Sequence, residues 1–212
     1  MDYTSAANIL NAQSIKNWVD FILNNTGAEK VDIVAHSMGG LSSRYYIKFL
    51  GGLNKVDDFV CMGSPQHGVT GGLQVFHSNS TLLYSLNEGD ETSGGILNDT
   101  VGFRVDPVGG RIYNSTHIQG DINYTSIYST GDTICTPINT SRLDGANNIE
   151  VEGVGHVDLL YDEDVINIIK HSIVDDHSNG NDNILIPGYN LLLLIGFISL
   201  LMITIIKKHK FK

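Results

Sequence analysis

The sequence predicts an α/β domain with a mostly parallel sheet over residues 1–174. Three observations carry that prediction. Strand-like apolar runs alternate with stretches of helical periodicity, the pattern of strands joined by crossover helices. One run, residues 31–35, passes directly into a helix-like segment through the small-residue turn Ala35-His36-Ser37-Met38-Gly39. The composition, 42% hydrophobic and 17% charged, is that of a domain able to bury a core.

The elements follow in order. Ile15, Val19, Ile22 and Leu23 recur at three-and-four spacing and predict a helix over residues 11–24. The strand 31–35 and a helix over 38–50 come next. A second strand, 56–62, ends at Gly63-Ser64-Pro65. Residues 66–121 form a long irregular stretch without clear periodicity. A third strand over 124–129 leads to Gly131-Asp132, and a fourth over 149–154 leads to Gly155-His156. An amphipathic helix over 162–173 closes the domain.

The turn at Ser37 has the layout of a nucleophile elbow, with alanine for the first glycine of G-x-S-x-G. A serine raised on a strained strand-to-helix turn needs small flanks, because a larger side chain would meet neighbouring backbone. The helix behind it points its N-terminal N–H groups and its dipole at any oxyanion formed there. A hydroxyl is a weak nucleophile and needs a base, which in turn needs an orienting carboxylate. In a parallel sheet both come from loops at the C-terminal strand ends. Asp132 follows the third strand, whereas Asp121 precedes it, about 20 Å away at the opposite edge. His156 follows the fourth strand in Gly153-Val154-Gly155-His156, where the glycines let the loop fold in over the site. His36, His67, His77, His117, His171 and His177 lack such placement and read as packing or surface residues. The resulting order, Ser37, Asp132, His156, is that of α/β-hydrolases.

Several blocks sharpen this into a resemblance. Residues 31–40, Tyr45-Tyr46-Ile47-Lys48, Tyr124-Thr125-Ser126-Ile127-Tyr128-Ser129, Ser141-Arg142-Leu143-Asp144-Gly145-Ala146 and Gly153-Val154-Gly155-His156 resemble the small, lidless lipases of Bacillus type. Residues 80–92 resemble a stretch of related actinobacterial lipases. The turn Gly63-Ser64-Pro65-Gln66-His67-Gly68 is similar to one in larger lipases, with glutamine in place of their histidine. The resemblance implies a three-layer α/β-hydrolase that cleaves carboxylic esters, with lipid or small-ester substrates. Ser37 would attack the carbonyl, His156 would relay the proton, Asp132 would hold the imidazole and the Met38 N–H would donate to the oxyanion. Neither metal nor organic cofactor is implied.

Two departures stand out. The stretch 66–121 is longer than in lidless lipases, and either covers the site or forms a surface excursion. The family also has an earlier strand whose His-Gly loop supplies a second oxyanion donor, and no counterpart precedes residue 31. The expectation is therefore a C-terminal part of a longer product, lacking two central strands and leaving the 31–35 strand unpaired on one side. Such a piece alone would have weak or no activity.

The formal charge is −10, and four of the thirteen Lys and Arg residues lie in the last six positions. The remainder is thus more acidic still, with no basic stripe, and nucleic-acid binding is set aside. Cys61 and Cys135 form no C-x-x-C pair and read as small buried hydrophobes, though a single disulfide stays open. Residues 175–183 form a polar linker. Residues 184–206, without a charge, are long enough for a transmembrane helix, and the basic tail 207–212 predicts a cytoplasmic C-terminus with the domain outside. The segment from Ile186-Pro187-Gly188 onward also resembles archaeal C-terminal sorting signals, which are cleaved and replaced by a lipid anchor. Sequons at Asn24, Asn79, Asn98, Asn114, Asn123 and Asn139 favour export modestly. Two alternatives remain beside ester hydrolysis: an inactive cell-surface binding protein on a remnant fold, and acyl transfer by the same three groups.

Overall fold

The computed structural model describes residues 3–70, 80–106, 108, 110–173 and 203–207. A sheet of order β6-β5-β2-β1-β7 lies between two helical layers. Its strands are β1 (Val31–His36), β2 (Val56–Met62), β5 (Asn123–Ser129), β6 (Asn147–Val151) and β7 (Ile203–Lys207). The pairs β1–β2, β2–β5 and β5–β6 are parallel, so their C-terminal ends share one edge.

Alternation along the strands sorts the core into two faces. Val31, Ile33 and Ala35 of β1, with Phe59 and Tyr124, pack against α1 (Tyr3–Thr26) and α2 (Met38–Phe49). Ala12, Ile15, Val19 and Ile22 are the α1 side of that contact, all at most 3% exposed. On the other face Val34, Val60, Met62 and Ile127 meet Leu159 and Val165. Val165 belongs to α4 (Glu163–Ser172), whose N-cap Asp162 accepts from the N–H groups of Asp164 and Val165. Helix α1 begins well before the predicted residue 11, because the buried Asn8 side chain accepts from Ser42 Oγ at 2.8 Å and docks that extra turn on α2.

The stretch 66–121 is not irregular throughout. Thr81–Asn87 forms helix α3, capped by Ser80, and buries Leu82, Leu83 and Leu86 against Leu41 of α2. Gly102–Val105 and Ile112–Ser115 form an antiparallel hairpin, β3 and β4. Its faces alternate: Tyr113 and Ser115 are buried, while Phe103, Val105 and Ile112 face outward. This period-two pattern is short and interrupted by turn residues, which hides it from a longer window. Two side chains of α2 tie the stretch down. Lys48 Nζ donates to the main-chain oxygens of Leu86, Glu88 and Asp90 at 2.7–3.0 Å. Arg44 donates to those of Leu86 and Glu91 at 3.0–3.1 Å.

Two further expectations need correction. The edge of β1 is not open, because β7 pairs with it antiparallel, from Val31 opposite Lys207 to Ala35 opposite Ile203. The predicted transmembrane segment, 184–206, therefore ends in extended backbone rather than helix. Ile203-Thr204-Ile205-Ile206 is rich in β-branched residues, and a ladder satisfies main-chain groups that β1 would otherwise leave unpaired. Residues 184–202, the linker 175–183 and the tail beyond Lys207 lie outside the described residues. Among the described residues, no helix is long and apolar enough to cross a membrane.

Candidate active site

Ser37 occupies the junction of β1 and α2. Its backbone has φ 55°, and among the described residues it is the one non-glycine with positive φ. Two main-chain bonds hold this strained turn: Ser37 N–H donates to Met62 O at 2.9 Å, and Gly40 N–H donates to Ser37 O at 3.1 Å. Gly40, three residues on, is required sterically, since a Cβ there would run into the Ser64 side chain. Met38 opens α2, so its N–H lies in a first turn whose N–H groups have no intrahelical acceptor.

Asp132 and His156 reach the same place from neighbouring strand ends. Asp132 lies three residues beyond β5, and His156 five residues beyond β6. Their loops touch where Gly131 meets the Gly153 backbone, an approach no side chain at 131 would permit. Strand β6 stops at Val151 rather than Val154, which frees the intervening glycines to turn His156 inward. Ser37 Oγ lies 3.0 Å from His156 Nε2, and His156 Nδ1 lies 2.7 Å from Asp132 Oδ2. The second carboxylate oxygen of Asp132 accepts from the N–H groups of Ile134 and Cys135, both at 2.8 Å. Burial pushes this carboxyl's pKa up, but the bonds from His156, Cys135 and Ile134 outweigh it, and the net shift is downward. Asp132 is thereby kept ionised, and its bond to Nδ1–H leaves Nε2 free to accept from Ser37.

Gly63, at the end of β2, makes room for this bond. Its φ is +53°, and a Cβ there would lie 3.1 Å from Asp132 Oδ2 and 3.2 Å from His156 Nδ1. The thiol of Cys135 reaches Gly63 O at 3.0 Å, and both cysteines are buried and free. Asp121 sits at the opposite edge, in an ion pair with Lys30 at 2.6 Å. A cavity of about 820 Å³ also lies toward that edge, lined by Asn123, Tyr124, Asn147 and His171, and not by Ser37.

Two features escape a reading of the sequence. His36 ends β1 and is buried, and its ring Nε2 lies 2.8 Å from the main-chain oxygen of His156. His67 is also buried, bonded through Nε2 to Glu91 Oε1 at 2.7 Å. Glu91 further takes Arg104 at 3.1 Å and the Asp144 N–H at 2.7 Å. Burial opposes the charge on Glu91, but His67, Arg104 and Arg44 prevail and hold its pKa at about 2. Only the adjacency of His36 to Ser37 was a signal in the sequence. The partners of His67 lie far off along the chain, in residues without periodicity.

A parallel sheet carrying a strained serine at the β1–α2 turn, with aspartate beyond β5 and histidine beyond β6, has the arrangement of the α/β-hydrolase fold. Comparison with known proteins agrees. The family model for lipase (class 2) matches residues 2–74. The fold is similar to that of Aspergillus fumigatus lipase B, with 17% identity and a TM-score of 0.55, over 74% of this chain and 40% of the fungal one. It is also similar to the lin2722 gene product of Listeria innocua, with 14% identity and a TM-score of 0.52, over 82% of this chain and 69% of that one. The chain thus spans two fifths of the fungal lipase's length. About a third of the chain, around the Ser37 turn, is thus similar to lipase (class 2), and the fold as a whole is similar to that of these two proteins.

Proposed function

We propose that this chain is a serine hydrolase that cleaves carboxylic esters, a lipase or esterase working through an acyl-enzyme. The observation that carries the reading is the unbroken relay from Ser37 Oγ through His156 to Asp132, with joints of 3.0 and 2.7 Å. Ser37 Oγ attacks the ester carbonyl while His156 Nε2 takes its proton. Asp132 stays ionised, fixes the ring and stabilises the imidazolium. The Met38 N–H, at the positive end of α2, donates to the carbonyl oxygen as it gains charge. His156 then returns the proton to the leaving alcohol, and water attacks the acyl-Ser37 ester by the same relay in reverse. The lipase (class 2) match over residues 2–74 includes the Ser37 turn and supports an ester rather than an amide as substrate.

The test is hydrolysis of p-nitrophenyl esters by the full chain and by Ser37→Ala, with labelling by a fluorophosphonate read alongside. Labelling, with ester turnover that is weak for want of a second oxyanion donor, is expected in the parent and both are lost in the variant. Equal rates in the two proteins would refute the reading.

A further inference from the structure

His36 belongs to the turn that presents Ser37, and its side chain reaches the residue that carries the base. Its Nε2 is 2.8 Å from the main-chain oxygen of His156. The two rings lie against each other, with centroids 4.7 Å apart and planes at 49°. A carbonyl oxygen only accepts, so Nε2 of His36 carries the proton and donates. Burial is the main influence on this imidazole and holds its pKa down, so the ring is neutral while it donates.

The segment it grips is held at separated points, with glycines between them. In Gly153-Val154-Gly155 only Val154 packs, half-buried, against the core, and Val157, just after the base, is 58% exposed. The segment is tied at its start, where Gly153 N–H donates to Thr130 Oγ1 at 2.9 Å. It is tied again at its end, where Leu159 N–H donates to Gly155 O at 3.1 Å. Between these, the His36 bond meets the main chain of the very residue that carries the base. Residue 36 is covalently joined to the nucleophile, so the bond sets base against nucleophile with one rigid peptide unit between them.

We infer that His36 is a positioning residue, whose Nε2–H bond to the main-chain oxygen of His156 holds the base in register with Ser37. The inference rests on the hydrolase reading of that relay and deepens it. Loss of the bond lets the glycine-flanked segment relax outward, and misplacement of a reacting group by about 1 Å costs on the order of 10²-fold in rate. A residue that only filled space would be replaced by phenylalanine without that cost.

The test compares His36→Phe, which keeps the ring and loses the donor, with His36→Gln, whose amide nitrogen reaches the Nε2 position. His36→Asn is polar but too short to reach, and serves if the phenylalanine variant does not fold. For Phe and Asn, kcat on p-nitrophenyl esters should fall about 10- to 100-fold with KM little changed, and Gln should recover most of it. Crystal structures of the parent and the donor-less variant should show the Ser37 Oγ–His156 Nε2 distance opening beyond hydrogen-bond range. Parent-like kcat in Phe and Asn, failure of Gln to recover, or an unchanged distance would each overturn the inference. Ser37→Ala in the same assay separates the two claims: activity lost there but kept in His36→Phe removes the role of His36 and leaves the hydrolase reading standing.

Discussion

The His156–Asp132 and His67–Glu91 pairs both close at 2.7 Å, and each joins an imidazole to a buried carboxylate. They differ at the second ring nitrogen. His156 turns its free nitrogen to Ser37 Oγ, a group that can give up a proton and form a bond. His67 turns its other nitrogen to the main-chain oxygen of Thr140 at 3.1 Å, which can do neither. The carboxylates differ as well. Asp132 serves one ring and two N–H groups, whereas Glu91 also neutralises Arg104 and takes the Asp144 N–H. A histidine–carboxylate pair is therefore a chemical device only when its chain of bonds ends on a reactive atom; closed on itself it is a brace.

The contrast can be broken from either side. Ser37→Ala should give the largest effect, a fall in kcat of about 10⁴-fold or more with little change in melting temperature. Asp132→Asn should come next, on the order of 10⁴-fold, because an amide presents the wrong partner to Nδ1. Glu91→Gln should act on the other property. It leaves the buried His67 without its counter-charge and takes one of three carboxylates from Arg104, which costs about 3–5 kcal/mol in denaturant unfolding, while kcat of the folded fraction stays within a few-fold of the parent. A comparable loss of kcat in Glu91→Gln and Asp132→Asn would erase the distinction.

Acid should reach the brace through the same groups. The pKa of Glu91 is lowered from 4.5 to about 2, so its contribution is present above pH 4.5 and is lost as pH falls toward 2. The pKa of His67 is raised, with Glu91 overcoming burial, so its contribution is full below 6.5 and is lost as pH climbs through the raised value. Melting temperature should therefore fall below pH 4.5 in the parent, and this acid slope should be smaller in Glu91→Gln. The smallest effect belongs to the exposed Lys30–Asp121 pair: Asp121→Asn should change stability by less than about 1 kcal/mol and leave esterase activity alone.

The two pairs also differ in how far the sequence discloses them. Ser37, Asp132 and His156 each follow a strand whose apolar run can be counted, and a parallel sheet obliges such positions to meet at one edge. Four strands, the larger part of α1, α2 and α4 were legible from periodicity in the same way. Glu91 and Arg104 lie in a stretch without period, and their pairing with His67 depends on how that stretch folds back over α2. Strand β7 was illegible for another reason. An uncharged apolar run satisfies the length test for a membrane helix, and only the open edge of β1 offers its last residues a competing ladder. His36 was passed over because its partner is a main-chain oxygen, which no residue type advertises.

That same anonymity has a consequence at Lys48 and Arg44. They fasten the stretch around residues 86–91 mostly by its carbonyl oxygens, which every amino acid supplies. The side chain at 88, unlike the buried Leu86 and Asp90, can be exchanged over generations while the attachment to the helix behind Ser37 persists. Variation at such a position is thus open to inheritance without first dismantling the scaffold that holds the stretch.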